Sequence, residues 1–295
     1  MSTSPSPPNS SPTKPDPAAW LKQDVKDILP PERMFLETYA GIPPEEVVPH
    51  VVAIVTFAIH PWPCIGHLRF LHFTLANYPF YPRLLARLLT APDNANDNDP
   101  KLLDVGSCFG QDLRKLIADG VSPSQIAGLD LDSAFHDLGY KLFRDDTPLG
   151  DRPALVYDFY PRDILDGRAD WTPLVARFDV VHAANFLHIW DWDTQVRVAC
   201  RLGSFLRRKA GGCIVGCSLG VKSGGREMNG YDGRGSCFRH DLESFERFWA
   251  LVGERMGVLW RVEARVVPLE LPKELQGVGW ANDGMGSVEF EVTMQ

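Results

Sequence analysis

The sequence predicts an α/β fold in which a doubly wound, mostly parallel sheet is flanked by helices and preceded by a helical N-terminal cap. From Lys101 onward, short apolar strands alternate with helical segments, and this alternation is typical of parallel sheets. The first strand runs into a glycine-containing turn and then an amphipathic helix. Open α/β sheets bind ligands at such a turn.

Residues 1–17 are rich in serine and proline and contain neither a signal peptide nor a mitochondrial presequence pattern, so we expect a disordered tail. Residues 18–99 carry helical apolar spacing and end in an Asp-, Asn- and Pro-rich linker at 92–100. They predict a helical cap and linker in front of a catalytic domain at 100–295. The most apolar stretch, 51–59, is too short to cross a bilayer, so we expect a cytoplasmic protein without membrane insertion.

The main domain is expected to contain five parallel strands followed by an antiparallel pair at one sheet edge. The strands are predicted at 101–106, 125–132, 154–159, 178–185 and 213–219, with a helix at 193–208 and later β-like runs at 260–271 and 287–294.

The composition excludes several classes of function. A formal net charge of −8 argues against a nucleic-acid partner, because binding to phosphates requires a basic surface. The six cysteines contain no pair separated by two residues, which favours reduced thiols. His60, His67 and His72 do not share a helical face, so we expect no metal. The sequence leaves open whether the protein forms a homodimer.

The turn after the first strand supplies the residues that a nucleotide site needs. Gly106 and Gly110 give the backbone freedom for close approach to a ligand. Asp130 closes the second strand, where a carboxylate can accept hydrogen bonds from paired ribose hydroxyls, although short polar residues also end strands for structural reasons. Asp132 is predicted to cap the following helix.

The same turn discriminates between nucleotide ligands. A dinucleotide motif requires glycine where Cys108 and Gln111 stand, so a pyrophosphate is disfavoured. Residues 104–110 instead resemble the D-x-G-x-G-x-G motif of class I methyltransferases, with cysteine replacing the middle glycine. The resemblance extends over roughly 101–219. It implies a Rossmann-like class I methyltransferase fold and S-adenosyl-L-methionine as cofactor.

The resemblance also implies individual roles. Asp158 and Phe159, assigned to the end of the third strand, match the position that contacts adenine, with core packing as the alternative for Phe159. Ala184 and Asn185, ending the fourth strand, match the position lining the methionine moiety. The full predicted cofactor set is Asp104, Gly106, Ser107, Cys108, Gly110, Asp130, Leu131, Asp158, Phe159, Ala184 and Asn185.

A narrower resemblance covers about 62–262. The segments PWPCIGHLRFL, DVGSCFGQDLRKL, GLDLDSAFHDLGYKLFRD, HAANFLHIWDWDTQVRVACRL and CFRHDLESFERFW are similar to fungal secondary-metabolite methyltransferases of meroterpenoid pathways. Members of that family methylate small natural products, including a carboxyl group on a farnesylated aromatic acid. The resemblance implies O-methylation of a hydrophobic small molecule. N-methylation of an amine and a catalytically inactive cofactor-binding protein are the alternatives.

His188, Arg239 and His240 are the predicted acceptor-side residues. His188 follows the fourth strand, and the other two follow a Gly-rich stretch at 220–235 that predicts either a mobile lid or an ordinary solvated loop. A helix-start hydrogen bond is the alternative role for His188, and a surface or helix-start ion pair is the alternative role for Arg239.

The chemistry of the acceptor decides what these residues must supply. A carboxylic acid is ionised at neutral pH and needs a cation or donor, whereas a phenol with a pKa near ~10 needs help losing its proton. In the cap, Trp62 and Arg69 are the preferred probes of the acceptor pocket. The aromatic rings around them suit either an apolar wall or core packing.

Overall fold

The computed structural model describes residues 28–54, 65, 68–90, 99–230, 235–269 and 284–295. The predicted tail at 1–17 lies outside these residues, as does most of the predicted linker at 92–100. Within the described part of the chain, no helix is long and apolar enough to cross a membrane.

The N-terminal cap is a set of short helices. They are α1 (Pro30–Thr38), α2 (Val47–Ile54), two 3-10 turns (Arg69–Leu71 and Leu75–Asn77) and α3 (Tyr81–Leu88). Proline begins α1 and lies in the first turn of α3, where its fixed φ and missing N–H are tolerated. The cap is therefore helical, as predicted, but its helices are shorter than the apolar spacing indicates.

The main sheet has seven strands in the order β3-β2-β1-β4-β5-β9-β8. The first five strands pair in parallel, and β9 pairs antiparallel with both β5 and β8. This arrangement confirms the predicted doubly wound sheet and its antiparallel edge. The strands are β1 (Leu102–Val105), β2 (Ile126–Asp130), β3 (Asp158–Pro161), β4 (Val180–Ala184), β5 (Cys213–Val221), β8 (Trp260–Pro268) and β9 (Met285–Met294).

Four helices of the described chain pack on the sheet; an aspartate caps the N-terminus of the last three, whereas Gly110 precedes the first. They are α4 (Gln111–Ala118), α5 (Ser133–Phe143), α6 (Trp192–Phe205) and α7 (Leu242–Met256). The Asp132 carboxylate accepts from the Ala134 N–H at 2.9 Å, which confirms the predicted cap of α5. Because the sheet order reverses between β1 and β4, a crevice is expected at the carboxyl ends of these strands.

The third strand begins later than predicted. Residues 154–157 precede it, because the Leu155 N–H donates to the Asp145 carbonyl at 2.8 Å and its carbonyl accepts from Tyr140. Val156 is 76% exposed, so the apolar residues at 154–157 do not form the buried strand that was predicted from them. The strand Asp158–Pro161 instead pairs Pro161 with Asp130 of β2.

The Gly-rich stretch at 220–235 is neither a plain loop nor a helix. It contains β6 (Arg226–Asn229), which pairs antiparallel with β7 (Ser236–Arg239) in a separate two-stranded ribbon. The tip, 231–234, lies outside the described residues. The ribbon joins the main fold through a bridge from Gly220 to His240.

A buried carboxylate fixes the amino ends of the central strands. Asp179 accepts from the Lys101 backbone N–H at 3.1 Å, and it pairs with Arg207 at 2.6 Å and Arg87 at 3.1 Å. A carboxylate can be buried when its charge is met by cations and hydrogen bonds in this way. The contacts lock the strand ends that lie opposite the crevice.

The close contact of α5 with the turn after β1 gives a test of the packing. A Cβ added to Gly139 would lie 2.3 Å from the Phe109 carbonyl oxygen. We expect Gly139→Ala to destabilise the fold by about 1–3 kcal/mol in urea unfolding through overpacking, although alanine favours helices by about 1 kcal/mol. Gly167→Ala, which meets no atom within 4 Å, is the control. A neutral or stabilising Gly139→Ala would contradict the contact.

Candidate functional site

The turn at 106–110, here called the cofactor loop, wraps around the end of β2. Gly106 N–H donates to the Leu129 carbonyl at 2.8 Å, and Ser107 N–H donates to the same oxygen at 3.2 Å. Cys108 N–H donates to Asp130 Oδ2 at 2.8 Å. The loop is thus tied by its own amides to the strand that carries the predicted ribose carboxylate.

The loop backbone is left-handed at three positions. The φ angles are 72° at Gly106, 50° at Cys108 and 69° at Gly110. Cys108 therefore adopts a conformation that glycine adopts more readily, which explains why the motif has glycine at this position. At Gly110, a Cβ would lie 2.8 Å from Arg114 Nη1, so the space there does not accommodate a side chain.

The amides of the loop are already used within the protein. Gly110 N–H donates to the Ser107 carbonyl at 2.8 Å, in addition to the bonds made by Gly106, Ser107 and Cys108. An anion-binding nest requires backbone N–H groups that point at the ligand. The loop therefore offers no phosphate cradle through these amides, which agrees with the absence of a dinucleotide motif.

Asp130 and Leu131 suit the sugar and base of a nucleoside. Asp130 is 9% exposed, and burial raises the pKa of its carboxyl to about 6. Its oxygens accept from Cys108 and Asp132 N–H groups, which leaves further lone pairs for sugar hydroxyls. Leu131 is 63% exposed beside it, an apolar surface on which a base can pack.

Asp158 and Phe159 do not lie at the end of the third strand, and that prediction is wrong because β3 starts at Asp158. Asp158 pairs with Arg177 at 3.1 Å, and the Phe159 ring stacks on His136 at 4.2 Å. Their contact with adenine stays a prediction. The strand pairing instead places Pro161 opposite Asp130.

The end of β4 faces the cofactor loop. Ala184 ends the strand, and Asn185 has a φ of 51°, a left-handed conformation that asparagine adopts more readily than most residues. Phe186 follows, with its ring 2.8 Å from where a Cβ of Gly106 would lie. The structure thus places Phe186, which the sequence analysis missed, beside the loop, and the role of Ala184 and Asn185 in lining the methionine moiety stays a prediction.

Asp104 lies beneath the loop in a buried ion pair. Its Oδ1 is 2.8 Å from His182 Nδ1. Burial lowers the pKa of His182, but the charge and hydrogen bond of Asp104 raise it above its ordinary value. Ser107, also predicted in the site, has a buried hydroxyl without a hydrogen-bond partner among the described residues. Sequence spacing gave no signal for His182.

His188 lies in a 3-10 turn after β4, and its ring serves as a hydrogen-bond acceptor. Nδ1 accepts from the Leu219 backbone N–H at 3.2 Å, so a neutral ring carries its proton on Nε2. Burial, followed by the charges of Arg239 and Arg69, holds the pKa of His188 well below its usual value. The ring is therefore neutral, and both guanidinium groups lie near enough to affect it.

Arg239, at the end of β7, is 2% exposed. One guanidinium nitrogen, Nη1, donates to the His188 carbonyl, whereas Nε has no hydrogen-bond partner among the described residues. The ion pairs within the described part of the chain include none with Arg239. The buried side chain excludes a surface position for Arg239, and no ion pair of the predicted surface or helix-start kind is found for it among the described residues.

His240, the third predicted acceptor-side residue, lies inside the protein. Its Nε2 is 3.1 Å from Gln195 Oε1, and its Nδ1 is 3.3 Å from Ser244 Oγ. Burial lowers the pKa of this imidazole to about 3. The ring joins α6 to α7, so the structure gives it a packing role, and its acceptor role stays a prediction.

The cap contributes less to an open pocket than its aromatic content indicates. Phe70, Phe73, Tyr78 and Tyr81 are buried, which favours core packing over a pocket wall. Arg69 is exposed, and Trp62 lies outside the described residues.

Comparison with known proteins gives one family model and several relatives. The model "Meroterpenoid methyltransferase N-terminal domain" matches residues 20–71. The chain is 39% identical to O-methyltransferase atr3 of Stereocaulon alpinum, over 92% of this chain and 75% of that protein. It is 34% identical to O-methyltransferase phiE of Fungal sp. (strain ATCC 74256), over 84% and 79% of the two chains. Methyltransferase adrK of Penicillium roqueforti is also 34% identical, over 84% and 85%.

Among solved structures, 1,6-didemethyltoxoflavin-N1-methyltransferase of Burkholderia thailandensis, with bound 1,6-didemethyltoxoflavin and S-adenosylhomocysteine, aligns with a TM-score of 0.48. It shares 16% sequence identity and covers 86% of this chain and 91% of its own.

The raised pKa of Asp130 predicts pH-dependent nucleoside binding. Below about pH 6 the carboxyl is protonated and accepts sugar hydroxyls less well, so affinity is present above that pH and is lost as pH falls. If only the ionised form binds, the Kd for S-adenosylhomocysteine should weaken roughly tenfold from pH 7.5 to pH 5, measured by calorimetric titration. Asp130→Asn should bind more weakly, with a flatter profile. An unchanged wild-type Kd across this range would contradict the ribose role.

The backbone of Cys108 gives a second test. Cys108→Gly fits the left-handed φ, so we expect the Kd for S-adenosylhomocysteine to stay within about twofold of wild type. Cys108→Val places a β-branched residue in that conformation and should destabilise the fold by about 1–2 kcal/mol and weaken binding. Equal binding by the valine variant would show that the loop does not need this conformation.

Proposed function

The chain belongs to the S-adenosylmethionine-dependent methyltransferases of fungal secondary metabolism, and we propose that it methylates the carboxylate of a small hydrophobic acid to give a methyl ester. The single observation that carries the proposal is the buried guanidinium of Arg239, which lies beside His188 and has no anionic partner among the described residues.

A buried cation without a counter-ion is costly, because it loses hydration and gains no compensating charge. Arg239 is the predicted acceptor-side residue that fits this description within the described part of the chain. Arg69, on the cap, adds a second positive charge near His188. A carboxylate bound between them would supply the missing negative charge. An amine acceptor would be repelled by the same pair.

His188 suits a carboxylate better than a phenol. With Nδ1 occupied by the Leu219 N–H, the neutral ring presents Nε2–H as a donor. Its lowered pKa makes it a poor proton acceptor, and a phenol with a pKa near ~10 would need a good one. A carboxylate needs no base, only donors that orient it.

S-adenosylmethionine, when bound, supplies a methyl group activated by its sulfonium. We propose that Asp130 holds the sugar and that Leu131 packs against the base. The loop from Gly106 to Gly110 and Asn185 would line the methionine moiety. The protein then contributes alignment and exclusion of water, which can supply several kcal/mol. One carboxylate oxygen forms the new C–O bond as the C–S bond breaks, and the electron pair of that bond passes to sulfur. No proton is transferred.

Two of the relatives carry the word O-methyltransferase in their names, and the family model is one of meroterpenoid methyltransferases. Oxygen as the methylated atom and an apolar acceptor agree with these names. The acid itself is not specified by them.

The test uses methyl-labelled S-adenosylmethionine with paired aromatic acids and the corresponding phenols of equal apolar size. We expect label in the esters and little in the phenol ethers. Arg239→Met should raise the KM for the acid at least tenfold, because a charge-assisted hydrogen bond is lost, while the Kd for S-adenosylhomocysteine stays unchanged.

Arg247→Met, which removes an exposed guanidinium on α7, is the matched control and should leave the KM for the acid unchanged. Preferential labelling of phenols, or an acid KM that Arg239→Met does not alter, would overturn the carboxylate proposal.

A further inference from the structure

A completely buried arginine lies behind the cofactor loop. Arg114, one turn into α4, donates from Nη1 to the Phe109 carbonyl at 2.8 Å and more weakly to Gly110 at 3.3 Å. Its Nε and Nη2 donate to the two oxygens of Asp145 at 2.7 and 2.9 Å. A guanidinium has five donors in a fixed plane, so it can fix a carboxylate and a loop carbonyl together.

The guanidinium is also held by aromatic rings. Its central carbon lies 4.7 Å from the centre of the Phe143 ring and 5.3 Å from that of Tyr140, both on α5. Cation–π contacts of this kind add to the ion pair with Asp145. Because Gly139 lets α5 approach the Phe109 carbonyl, the whole group is close-packed against the loop.

Asp145 extends the contact to the N-terminal cap. The Tyr39 hydroxyl, just after α1, donates to Asp145 Oδ2 at 3.0 Å. Burial raises the pKa of Tyr39, so the hydroxyl keeps its proton and remains a donor. The Tyr39 ring in turn stacks on Phe35 with centroids 4.7 Å apart. Tyr39, Asp145 and Arg114, here called the rear clamp, thus join the cap to the loop.

We propose that Arg114 is a positioning residue for cofactor binding, and that Tyr39 of the N-terminal segment contributes to the same task through Asp145. Asp130 and Leu129 hold the amides of the loop from the front, and the rear clamp holds its carbonyls from behind. Removing the rear clamp frees the loop to leave the geometry that the cofactor requires. The proposal concerns the cofactor alone, and so it stands whether or not the acceptor is a carboxylic acid.

The experiment uses the full chain and titrates S-adenosylhomocysteine by calorimetry. Arg114→Lys keeps the charge but loses the planar fork, and we expect its Kd to weaken at least tenfold. Tyr39→Phe removes one hydroxyl and leaves Asp145 paired with Arg114, so we expect about a threefold weakening. Because both substitutions act on the same connected set of contacts, the fold-change in Kd of the double variant should be smaller than the product of the fold-changes of the two single variants.

Val252→Ala on α7 is the control for general destabilisation, because Val252 is buried in the core formed with α6 and belongs to neither side of the loop. It should lower the midpoint of urea unfolding and leave the Kd unchanged at temperatures where the protein is folded.

Wild-type Kd values in both rear-clamp variants, or an equal weakening in Val252→Ala, would overturn the proposal. If Arg114→Lys does not fold, Tyr39→Phe decides alone. A Tyr39→Phe variant that binds as tightly as wild type rejects the role of the N-terminal segment.

Discussion

The backbone of the cofactor loop is fixed from two directions, by the end of β2 on one side and by Arg114 of α4 on the other. Its amides donate hydrogen bonds to the Leu129 carbonyl and the Asp130 carboxylate, and its Phe109 carbonyl accepts a hydrogen bond from Arg114. Backbone groups buried in this way must be paired, and here their pairing also sets the shape of the site. The loop is therefore preorganised, which reduces the ordering cost of binding a ligand.

The sequence predicted those parts of the fold that depend on local pattern. Alternating strands and helices predicted the sheet, and the turn with Asp130 predicted a cofactor site whose residue roles stay predictions. The start of β3 was mispredicted, because the apolar run at 154–157 is used by the loop after α5 and not by the sheet. His182 and Arg114 were missed for a different reason. Their partners Asp104 and Asp145 lie 78 and 31 residues away, and the local spacing of residue types in a sequence does not indicate contacts between residues so far apart.

Buried charges divide into two kinds in this protein. Asp179, Asp145 and Asp104 each meet a cation or a hydrogen-bonded imidazole inside the fold. Arg239 does not meet an anion among the described residues. A fold tolerates a paired internal charge for its own stability, whereas a buried cation that has no counter-ion among the described residues is a candidate for binding an anionic ligand. This difference distinguishes the paired internal charges from Arg239, whose acceptor-side role is the proposal made above.

The ribbon of β6 and β7 carries Arg239, and among the described residues its two strands pair with each other and not with a strand of the seven-stranded sheet. Substitutions along the ribbon can therefore accumulate without disturbing the hydrogen bonds of β1 and β2. Descendants of one ancestral gene would be free to diversify in this ribbon while inheriting the same methyl-donor machinery. Chemical novelty among such paralogues should accordingly be concentrated in a short, exchangeable stretch of the chain.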